Sequence, residues 1–327
     1  MARITFGLCT SHSPQVSSGA EWWPEHGSND QNNPWLFDRE GRHLTYAQAL
    51  AQADPRLAEE LTPESHRRRN EVVQAAVVRL QDALLQAQPD VVVVFGDDQA
   101  EIFPHDFRPA LMICSGQAPN MPNLFSRAPY AAGRAAGWAY GPEQAPIEIC
   151  TPLAEHLVGS LITAGFDLAH AGKLDGDLGL GHAYGFIFGR IMNGHPRPLV
   201  PVIINTLYPP NQPTARRCYE LGQAVRRAID TWDTDASVAI VGSGGLSHFL
   251  IDEELDSDFL RAVREKDSTA MCALPSSRLQ SGTGEIRSWI AACAALEGLP
   301  VRWTEYQPCY RSPAGTGMGM GFALWTS

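Results

Sequence analysis

Two histidines follow short turns at the ends of apolar segments. His248 comes after the apolar segment 238–241 and a glycine-rich turn, and His12 comes after the apolar segment 4–9. Glycine lets the backbone turn sharply and approach a ligand closely. Open α/β sheets keep their chemistry at the carboxyl ends of their strands. We therefore expect both imidazoles at one site, where they could bind a metal or transfer protons.

A glutamate adds a carboxylate to this set. Glu285 follows the turn 281–284 and precedes a segment whose apolar residues have helical spacing. The helix dipole favours a carboxylate in the first turn, but a buried carboxylate needs a cation. An imidazole, a carboxylate and a third ligand around open coordination positions form the facial triad of non-heme Fe(II) oxygenases. We predict His12 and Glu285 as two members of such a triad and His248 as a proton-transfer group.

Strands and helices alternate along the chain, which is typical of α/β proteins. Thr62 and Pro63 predict the start of a helix, which ends before Pro89. Apolar runs predict strands at 4–9, 90–95, 199–207 and 238–241, and helical spacing predicts helices at 153–164 and 214–232. We predict an α/β fold in which residues 1–327 form a single large domain around a mixed, mostly parallel sheet flanked by helices.

Two long segments lack this periodicity. Residues 17–61 are polar and rich in tryptophan, asparagine and proline, which is typical of an insertion with a functional or interface role. Residues 117–146 are rich in proline, glycine and alanine and contain Phe125 and Tyr130. This second segment either covers a substrate or simply packs as a crossing connection.

Composition excludes several classes of function. Acidic residues outnumber basic ones by 36 to 25, and the run Arg67–Arg69 is expected on the solvated face of a helix, so nucleic acid is not an expected partner. The chain has no apolar run of membrane-spanning length, and its first residues lack the charged start and long apolar core of a signal sequence, so we expect that it is not exported. Its seven cysteines form no C-x-x-C pair. We therefore expect reduced thiols, a cytoplasmic location and no membrane partner.

Several short motifs are similar to those of one known family. They are TSHSP at 10–14, GH at 181–182, YPP at 208–210, GGLSH at 244–248 and GE at 284–285. With these motifs the chain resembles the catalytic subunits of class III extradiol dioxygenases, the protocatechuate 4,5-dioxygenase beta-subunit superfamily. The resemblance implies iron ligation by His12 and Glu285, acid/base chemistry by His248, and a second histidine, His182, lining the substrate site.

The chain departs from the family pattern at the remaining metal ligand. Where the family has a histidine after the central strand, this chain has Asp97, Asp98 and Gln99. A glutamine carbonyl oxygen can bind iron, although more weakly than imidazole, and an aspartate is a harder oxygen donor. The predicted triad is His12, Gln99 and Glu285. Asp97, Asp98, His43 and His66 could each replace Gln99 as the third ligand.

A second departure concerns substrate binding. Where the protocatechuate enzymes have a serine that helps to hold the ring carboxylate, this chain has the segment 313–316. Arg311, Ser312 and Thr316 are the candidates for that role, unless the substrate itself differs.

The resemblance implies an enzyme that uses Fe(2+) and O2 to open a catechol-type ring in the degradation of lignin-derived aromatic acids. Protocatechuate, gallate and 3-O-methylgallate are the expected substrate class. We expect a homodimer, and the need for a separate small alpha subunit stays open. Two other interpretations remain: a zinc-dependent hydrolase on the same fold, and a metal-poor, non-catalytic subunit that binds an aromatic ligand. Metal analysis separates these three.

Overall fold

A twisted sheet of eight strands forms the centre of the protein. The computed structural model describes residues 1–103, 107–174 and 177–327. The strands are β1 (Arg3–Thr10), β2 (Leu36–Phe37), β3 (His43–Leu44), β4 (Val91–Gly96), β5 (Leu111–Cys114), β6 (Ala118–Pro119), β7 (Pro146–Ile147), β8 (Ala169–Ala171), β9 (Leu199–Ile204), β10 (Ser237–Ser243), β11 (Val301–Tyr310) and β12 (Gly317–Thr326). The order in the main sheet is β11-β12-β1-β10-β4-β9-β5-β8, and the other strands form two small two-stranded sheets, β2-β3 and β6-β7.

The middle of the sheet is parallel. Strands β1, β10, β4 and β9 pair in parallel, whereas β12 and β11 extend one edge antiparallel and β5 pairs antiparallel with β9. The sheet is therefore mixed and mostly parallel, which confirms the predicted α/β class. The carboxyl ends of β1, β10 and β4 meet at one edge, so the residues that follow these strands come together there.

Helices cover both faces of the sheet. They are α1 (Pro14–Ser17), α2 (Trp23–Asn29), α3 (Tyr46–Gln52), α4 (Pro63–Ala87), α5 (Asn123–Ser126), α6 (Ala131–Ala136), α7 (Thr151–Thr163), α8 (His182–Phe186), α9 (Ala215–Thr231), α10 (Glu253–Glu265), α11 (Ser268–Cys272) and α12 (Ile286–Ala295). No helix in the described part of the chain is both long and apolar enough to cross a membrane.

Strand β4 shows why the core has two layers. Val93 and Phe95 pack into the core beneath α7, α9 and α12, and Val92 and Val94 pack into the core on the side of α4. Successive side chains of a strand point to opposite faces, so an uninterrupted apolar strand needs cover on both. The continuous apolar run in the sequence predicts this arrangement, and the structure confirms it.

The predicted boundaries of α4 and α9 are also confirmed. The Thr62 hydroxyl accepts a hydrogen bond from the Ser65 N–H, Pro63 is the first residue of α4, and Thr214 caps α9 in the same way. These caps satisfy backbone donors that have no partner inside the helix.

Two parts of the structure differ from the sequence-based expectation. The antiparallel β11–β12 hairpin, which provides one edge of the sheet, is not predicted. The expectation that the arginine run is solvated is wrong for Arg69, which is buried, donates a hydrogen bond to Glu60 and lies 5.6 Å from the Tyr310 ring centroid. Arginine can bury its stem when its charged head keeps a partner. Residues 17–61 contain helices α2 and α3, and their description as an insertion stays a prediction.

Candidate metal centre and substrate cavity

Four side chains from separate parts of the chain converge at the carboxyl edge of the sheet. His12 follows β1, Asp97 follows β4, His182 begins α8, and Glu285 immediately precedes α12. All four are buried, and one potential ligand atom from each lies within 4.8 Å of the others. Histidine and carboxylate ligands of this kind suit divalent transition metals.

The distances within this cluster suit a metal site better than a set of hydrogen bonds. His12 Nε2 lies 3.9 Å from Asp97 Oδ1 and 3.7 Å from Glu285 Oε2, and His182 Nε2 lies 3.9 Å from Asp97 Oδ1. These separations exceed normal hydrogen-bond lengths. Two ligands of one ion, each about 2.1 Å from it, lie roughly 3–3.5 Å apart. A small inward movement would therefore bring these atoms into a coordination shell.

The ring of His12 is oriented with a free lone pair facing the cluster. Its Nδ1 lies 3.0 Å from Ser243 Oγ, and that hydroxyl donates its own proton to Ala183 O at 2.7 Å. Ser243 therefore accepts from Nδ1–H, which leaves Nε2 unprotonated. Burial lowers the pKa of His12 to about 3, so the ring is neutral. A hydrogen bond on the far nitrogen is the arrangement typical of metal-binding histidines.

Glu285 is held as a carboxylate. Its Oε2 accepts the Gly245 N–H at 2.5 Å, and its Oε1 lies 3.3 Å from His248 Nε2. Burial opposes ionisation, but the charge of His248 and these hydrogen bonds lower the pKa of Glu285 to about 2. The start of α12 also favours negative charge.

Asp97 is the second carboxylate of the cluster. Its Oδ2 accepts hydrogen bonds from the Thr206 hydroxyl and the Gln99 amide, each at 3.3 Å. Its Oδ1 is buried and has no hydrogen-bond partner in the described chain, and the same is true of His12 Nε2. Burial and the nearby charge of Glu285 raise the pKa of Asp97 to about 7. A buried polar atom without a partner is costly, and a bound cation would satisfy both of these atoms.

Gln99 lies beside the cluster, and its amide nitrogen faces the two carboxylates. Nε2 is 3.2 Å from Glu285 Oε1 and 3.3 Å from Asp97 Oδ2. In this orientation the amide donates hydrogen bonds to the carboxylates. Ligation by its carbonyl oxygen, as predicted from the sequence, would require the amide to turn over, and it stays a prediction.

Asp98, His43 and His66 lie outside the cluster. Asp98 accepts hydrogen bonds from the backbone N–H groups that follow it, at residues 100, 102 and 103. His43 is exposed and contacts Pro34 O, and His66 packs against Trp23. Among the four residues that could replace Gln99 as the third ligand, the geometry therefore favours Asp97.

His182 is paired with a residue that sequence reasoning missed. Glu101 Oε1 accepts hydrogen bonds from His182 Nδ1 at 2.6 Å and from the His182 backbone N–H at 2.8 Å. Burial would lower the pKa of His182, but the charge and hydrogen bonds of Glu101 and the charges of Asp97 and Glu285 raise it to about 10. The only sequence signal for Glu101 is its place two residues after Gln99, in the loop that follows β4.

His248 faces the same cavity from the loop after β10. Its Nδ1 donates to Leu246 O at 2.8 Å, which directs Nε2 toward Glu285. Thr283 fixes the backbone, because its hydroxyl accepts the His248 N–H and its N–H donates to His248 O. Burial opposes protonation, but the negative charge of Glu285 raises the pKa of His248.

A buried aspartate anchors the His248 loop. Asp256 accepts hydrogen bonds from the Ser247 N–H at 2.8 Å, the Ser247 hydroxyl at 2.6 Å and the Tyr306 hydroxyl at 2.8 Å. Burial is the largest influence on this carboxyl and raises its pKa to about 7.

A cavity of about 310 Å³ lies next to the cluster, a size that suits one aromatic ring with its substituents. The cluster residues His12, His182 and Glu285, together with Gln99 and His248, line its inner end. Phe125 and Tyr130 line a wall, so the segment 117–146 does contribute to the cavity surface. Residues of α2 and of the segment between α2 and β2 also line the cavity, next to Tyr130, whose ring centroid is 5.7 Å from that of His26.

Of the three residues predicted as candidates for substrate binding, the structure places Arg311 at the cavity and Ser312 and Thr316 outside its described lining. Arg311 lines the cavity, but its guanidinium is bound to Asp30. Thr316 lies outside the lining formed by the described residues, and its hydroxyl is hydrogen-bonded to Ser312 Oγ at 2.6 Å. Sequence reasoning missed Asp30, because nothing in the polar segment 17–61 indicates which of its residues reaches the cavity.

Comparison with known proteins agrees with this geometry. The chain is 30% identical over 176 residues to a 2,3-dihydroxyphenylpropionate/2,3-dihydroxicinnamic acid 1,2-dioxygenase of Mycobacterium sp. (strain MCS), which covers 53% of this chain and 48% of that protein. It is 33% identical over 178 residues to the protein of the same name from Cupriavidus necator, covering 54% and 49%. A gallate dioxygenase of Pseudomonas putida is 38% identical over 99 residues, covering 29% and 28%.

These matches span about half the length of the dihydroxyphenylpropionate dioxygenases and less of the gallate dioxygenase. A family model described as the catalytic LigB subunit of aromatic ring-opening dioxygenase matches residues 54–321, which is most of the chain. The matched region contains Asp97, His182, His248 and Glu285. On this evidence the chain belongs to the family of catalytic LigB subunits of aromatic ring-opening dioxygenases.

Proposed function

We propose that this protein opens the ring of a catechol-type compound with dioxygen, as a non-heme Fe(II) extradiol dioxygenase. The observation that carries the proposal is the pair of buried atoms without partners, His12 Nε2 and Asp97 Oδ1, beside the ionised Glu285. A bound divalent cation would give both of these atoms a partner and would compensate the buried carboxylates. Family membership supports iron and ring opening as the chemistry of that cation.

His12, Asp97 and Glu285 are the proposed ligands. They offer one nitrogen and two carboxylate oxygens, where the resemblance leads us to expect a second nitrogen or the Gln99 carbonyl. Gln99 instead donates hydrogen bonds to both carboxylates and would hold them in place. Harder oxygen donors are compatible with divalent iron. His182 lies beside these three ligands, with its Nε2 at 3.9 Å from Asp97 Oδ1.

When bound, the metal supplies Lewis acidity and a template on which a catechol and dioxygen can meet. The chain supplies orientation and proton transfer. His248 faces the cavity at Nε2 while Leu246 O fixes its Nδ1, so Nε2 is the atom that would exchange a proton with a ring hydroxyl. Glu101 keeps His182 protonated, so His182 would donate a hydrogen bond to a substrate oxygen.

The cavity limits the substrate to a small aromatic compound. Phe125 and Tyr130 provide flat apolar surface on one side of the ring space, and water is largely excluded because the cluster is buried. The resemblance favours acids such as protocatechuate, gallate and 3-O-methylgallate. Asp30 and Arg311, which also line the cavity and are paired with each other, favour uncharged relatives of these acids.

The cysteines bear on the cellular location of the protein. All seven cysteines are free thiols, which supports a reducing, cytoplasmic location. A homodimer, and the need for a small alpha subunit, stay predictions.

Anaerobic reconstitution tests this function. Metal-free protein is loaded with Fe(II) or with Zn(II), and oxygen uptake is followed with a panel of catechols. We expect the iron form to consume equimolar oxygen and catechol, and the zinc form to consume neither. Oxygen-independent turnover by the zinc form would instead indicate a hydrolase. Failure to bind either metal would indicate a non-catalytic subunit.

A further inference from the structure

The lining of the cavity beside the metal cluster contains a buried ion pair. Arg311 Nε and Nη2 donate to the two carboxylate oxygens of Asp30 at 2.7 and 2.8 Å, and Nη1 donates to Gln15 Oε1 at 3.1 Å. The side chains of Arg311 and Asp30 are 10% and 5% exposed. A two-pronged arginine–carboxylate pair is strong and geometrically specific when it is shielded from water.

The packing around the pair fixes its position. Gly27 of α2 lies directly against Arg311, and a Cβ atom at residue 27 would meet the Arg311 carbonyl oxygen at 1.9 Å. Gln15, which is fully buried, is itself anchored to Cys309 O at 2.9 Å. The packed backbone of the segment that contains α2 therefore fixes the position of Asp30 beside Arg311.

The other cationic groups of the lining also have carboxylate partners. His182 is paired with Glu101, and His248 is paired with Glu285. His26, on the same wall as Asp30, is neutral, because burial and the charge of Arg311 lower its pKa to about 3. Arg311 is the only arginine or lysine in the described lining, and Asp30 already neutralises it before a substrate enters.

A ring carboxylate would therefore enter this cavity at a cost. It would lose its hydration, find Arg311 already neutralised, and lie near the like charge of Asp30. An uncharged polar substituent has no such penalty. Asn29, Asn33 and Tyr130 line the same region and can exchange hydrogen bonds with it without a change in charge.

We infer that the enzyme selects catechols whose ring substituent is uncharged and hydrogen-bonding, and that Asp30 is the residue that sets this preference by neutralising Arg311. This inference rests on the proposed ring-opening function and names the substrate class of the same site. It departs from the aromatic acids implied by the resemblance, because a guanidinium that is already paired with Asp30 offers no free charge to a ring carboxylate.

The test compares two catechols of nearly equal shape, 3,4-dihydroxybenzamide and 3,4-dihydroxybenzoate. For the iron-loaded enzyme, we expect kcat/KM to favour the amide by at least about tenfold, which corresponds to about 1.4 kcal/mol. Anaerobic titration calorimetry of both compounds gives the same ranking without turnover. A preference of the wild-type enzyme for the benzoate would overturn the inference.

Substitutions test whether Asp30 causes the preference for the amide. Asp30→Asn keeps an oxygen acceptor for Arg311 but removes the neutralising charge, so the ratio should shift toward the benzoate by at least about tenfold. The double variant Asp30→Asn/Arg311→Met removes both charges and should retain the amide preference. The matched control is Asp54→Asn, an exposed aspartate in the same region that pairs with Arg56, and it should leave the ratio unchanged.

The remaining outcomes separate this inference from the proposed function. An unchanged ratio in a folded Asp30→Asn variant would overturn the role of Asp30. If that variant does not fold, the wild-type ratio and the double variant decide the matter, since a benzoate preference in either contradicts the inference. If calorimetry shows the amide preference but neither compound is consumed with oxygen, the proposed function fails and the binding preference stands.

Discussion

Asp97 Oδ1 lies 3.9 Å from His12 Nε2, and both atoms are buried without a hydrogen-bond partner among the described residues. The distance is too long for a hydrogen bond and suits two ligands on either side of one ion. Ser243 fixes the protonation of the imidazole, and Thr206 and Gln99 hold the other carboxylate oxygen. Hydrogen bonds with these neighbours thus hold the His12 and Asp97 side chains in place beside each other.

The first prediction concerns His12 and Glu285, the two proposed ligands that both the sequence motifs and the geometry of the cluster favour. His12→Ala and Glu285→Ala should each abolish both metal binding and oxygen uptake while the protein stays folded, because each removes a donor from a site with few of them. Metal content is measured by mass spectrometry and folding by circular dichroism. Wild-type iron content in either folded variant would exclude that residue as a ligand.

The second prediction distinguishes the two candidates for the third ligand. Asp97→Asn should weaken Fe(II) binding at least about tenfold, because even substitutions of residues that only support a metal ligand lower metal affinity by about that factor. Gln99→Ala should weaken it less, because the Gln99 amide only supports the carboxylates, and Gln99→His should retain or tighten binding. Competition with a chelator under nitrogen gives the affinities. The reverse order, with Gln99→Ala the more damaging, would make Gln99 the ligand.

The third prediction concerns His248. His248→Phe should keep near-normal iron content and catechol binding but turn over about 10²–10⁴-fold more slowly, the usual contribution of a positioned proton-transfer group. The limb of the pH–rate profile that reports histidine protonation should disappear with it. Steady-state rates across pH and anaerobic titration with a catechol provide the measurements. Loss of iron would make this histidine a ligand, and an unchanged rate and profile would make it structural.

The fourth prediction concerns stability and Asp256. Burial raises the pKa of this carboxyl from 3.8 to about 7 in the folded protein, so the folded state holds a proton that the unfolded chain releases. This bound proton adds to the free energy of unfolding below pH 3.8, and its contribution is lost as the pH rises to about 7. The full contribution is roughly 4 kcal/mol. Asp256→Asn, which mimics the protonated acid, should remove this dependence.

Urea unfolding of wild-type protein and of Asp256→Asn at pH 4 to 8 tests this prediction. The stability of the variant relative to wild type should increase as the pH rises through this range. A difference between the two proteins that does not change with pH would show that Asp256 does not titrate there.

The sequence predicts the central fold because its buried strands are unbroken apolar runs and its main helices have clear caps, as at Val91–Gly96 and Thr62. The β11–β12 hairpin escaped prediction because β11 is mostly half-buried and mixes polar with apolar residues. Its place in the sheet depends on pairing with a strand at the other end of the chain, which local patterns do not reveal.

The site was predictable only where one residue stands alone at the end of a strand or the start of a helix, as with His12, His248 and Glu285. After β4, Asp97, Asp98 and Gln99 follow one another directly and all carry side-chain oxygens. Their spacing therefore does not predict which of them faces the proposed metal site. Glu101 and Asp30 act through partners 81 and 281 residues away. Such pairs become visible only when the chain is folded.

The most direct test of the account is the fate of labelled oxygen. Iron-loaded enzyme is supplied with 18O2 and a catechol that it consumes, and the product is analysed by mass spectrometry. The account predicts a ring-opened product that carries both atoms of the same oxygen molecule, and no such product from protein loaded with zinc. A hydrolysed product without label, or equal activity with zinc, would contradict the assignment of this site to oxygen-dependent ring opening.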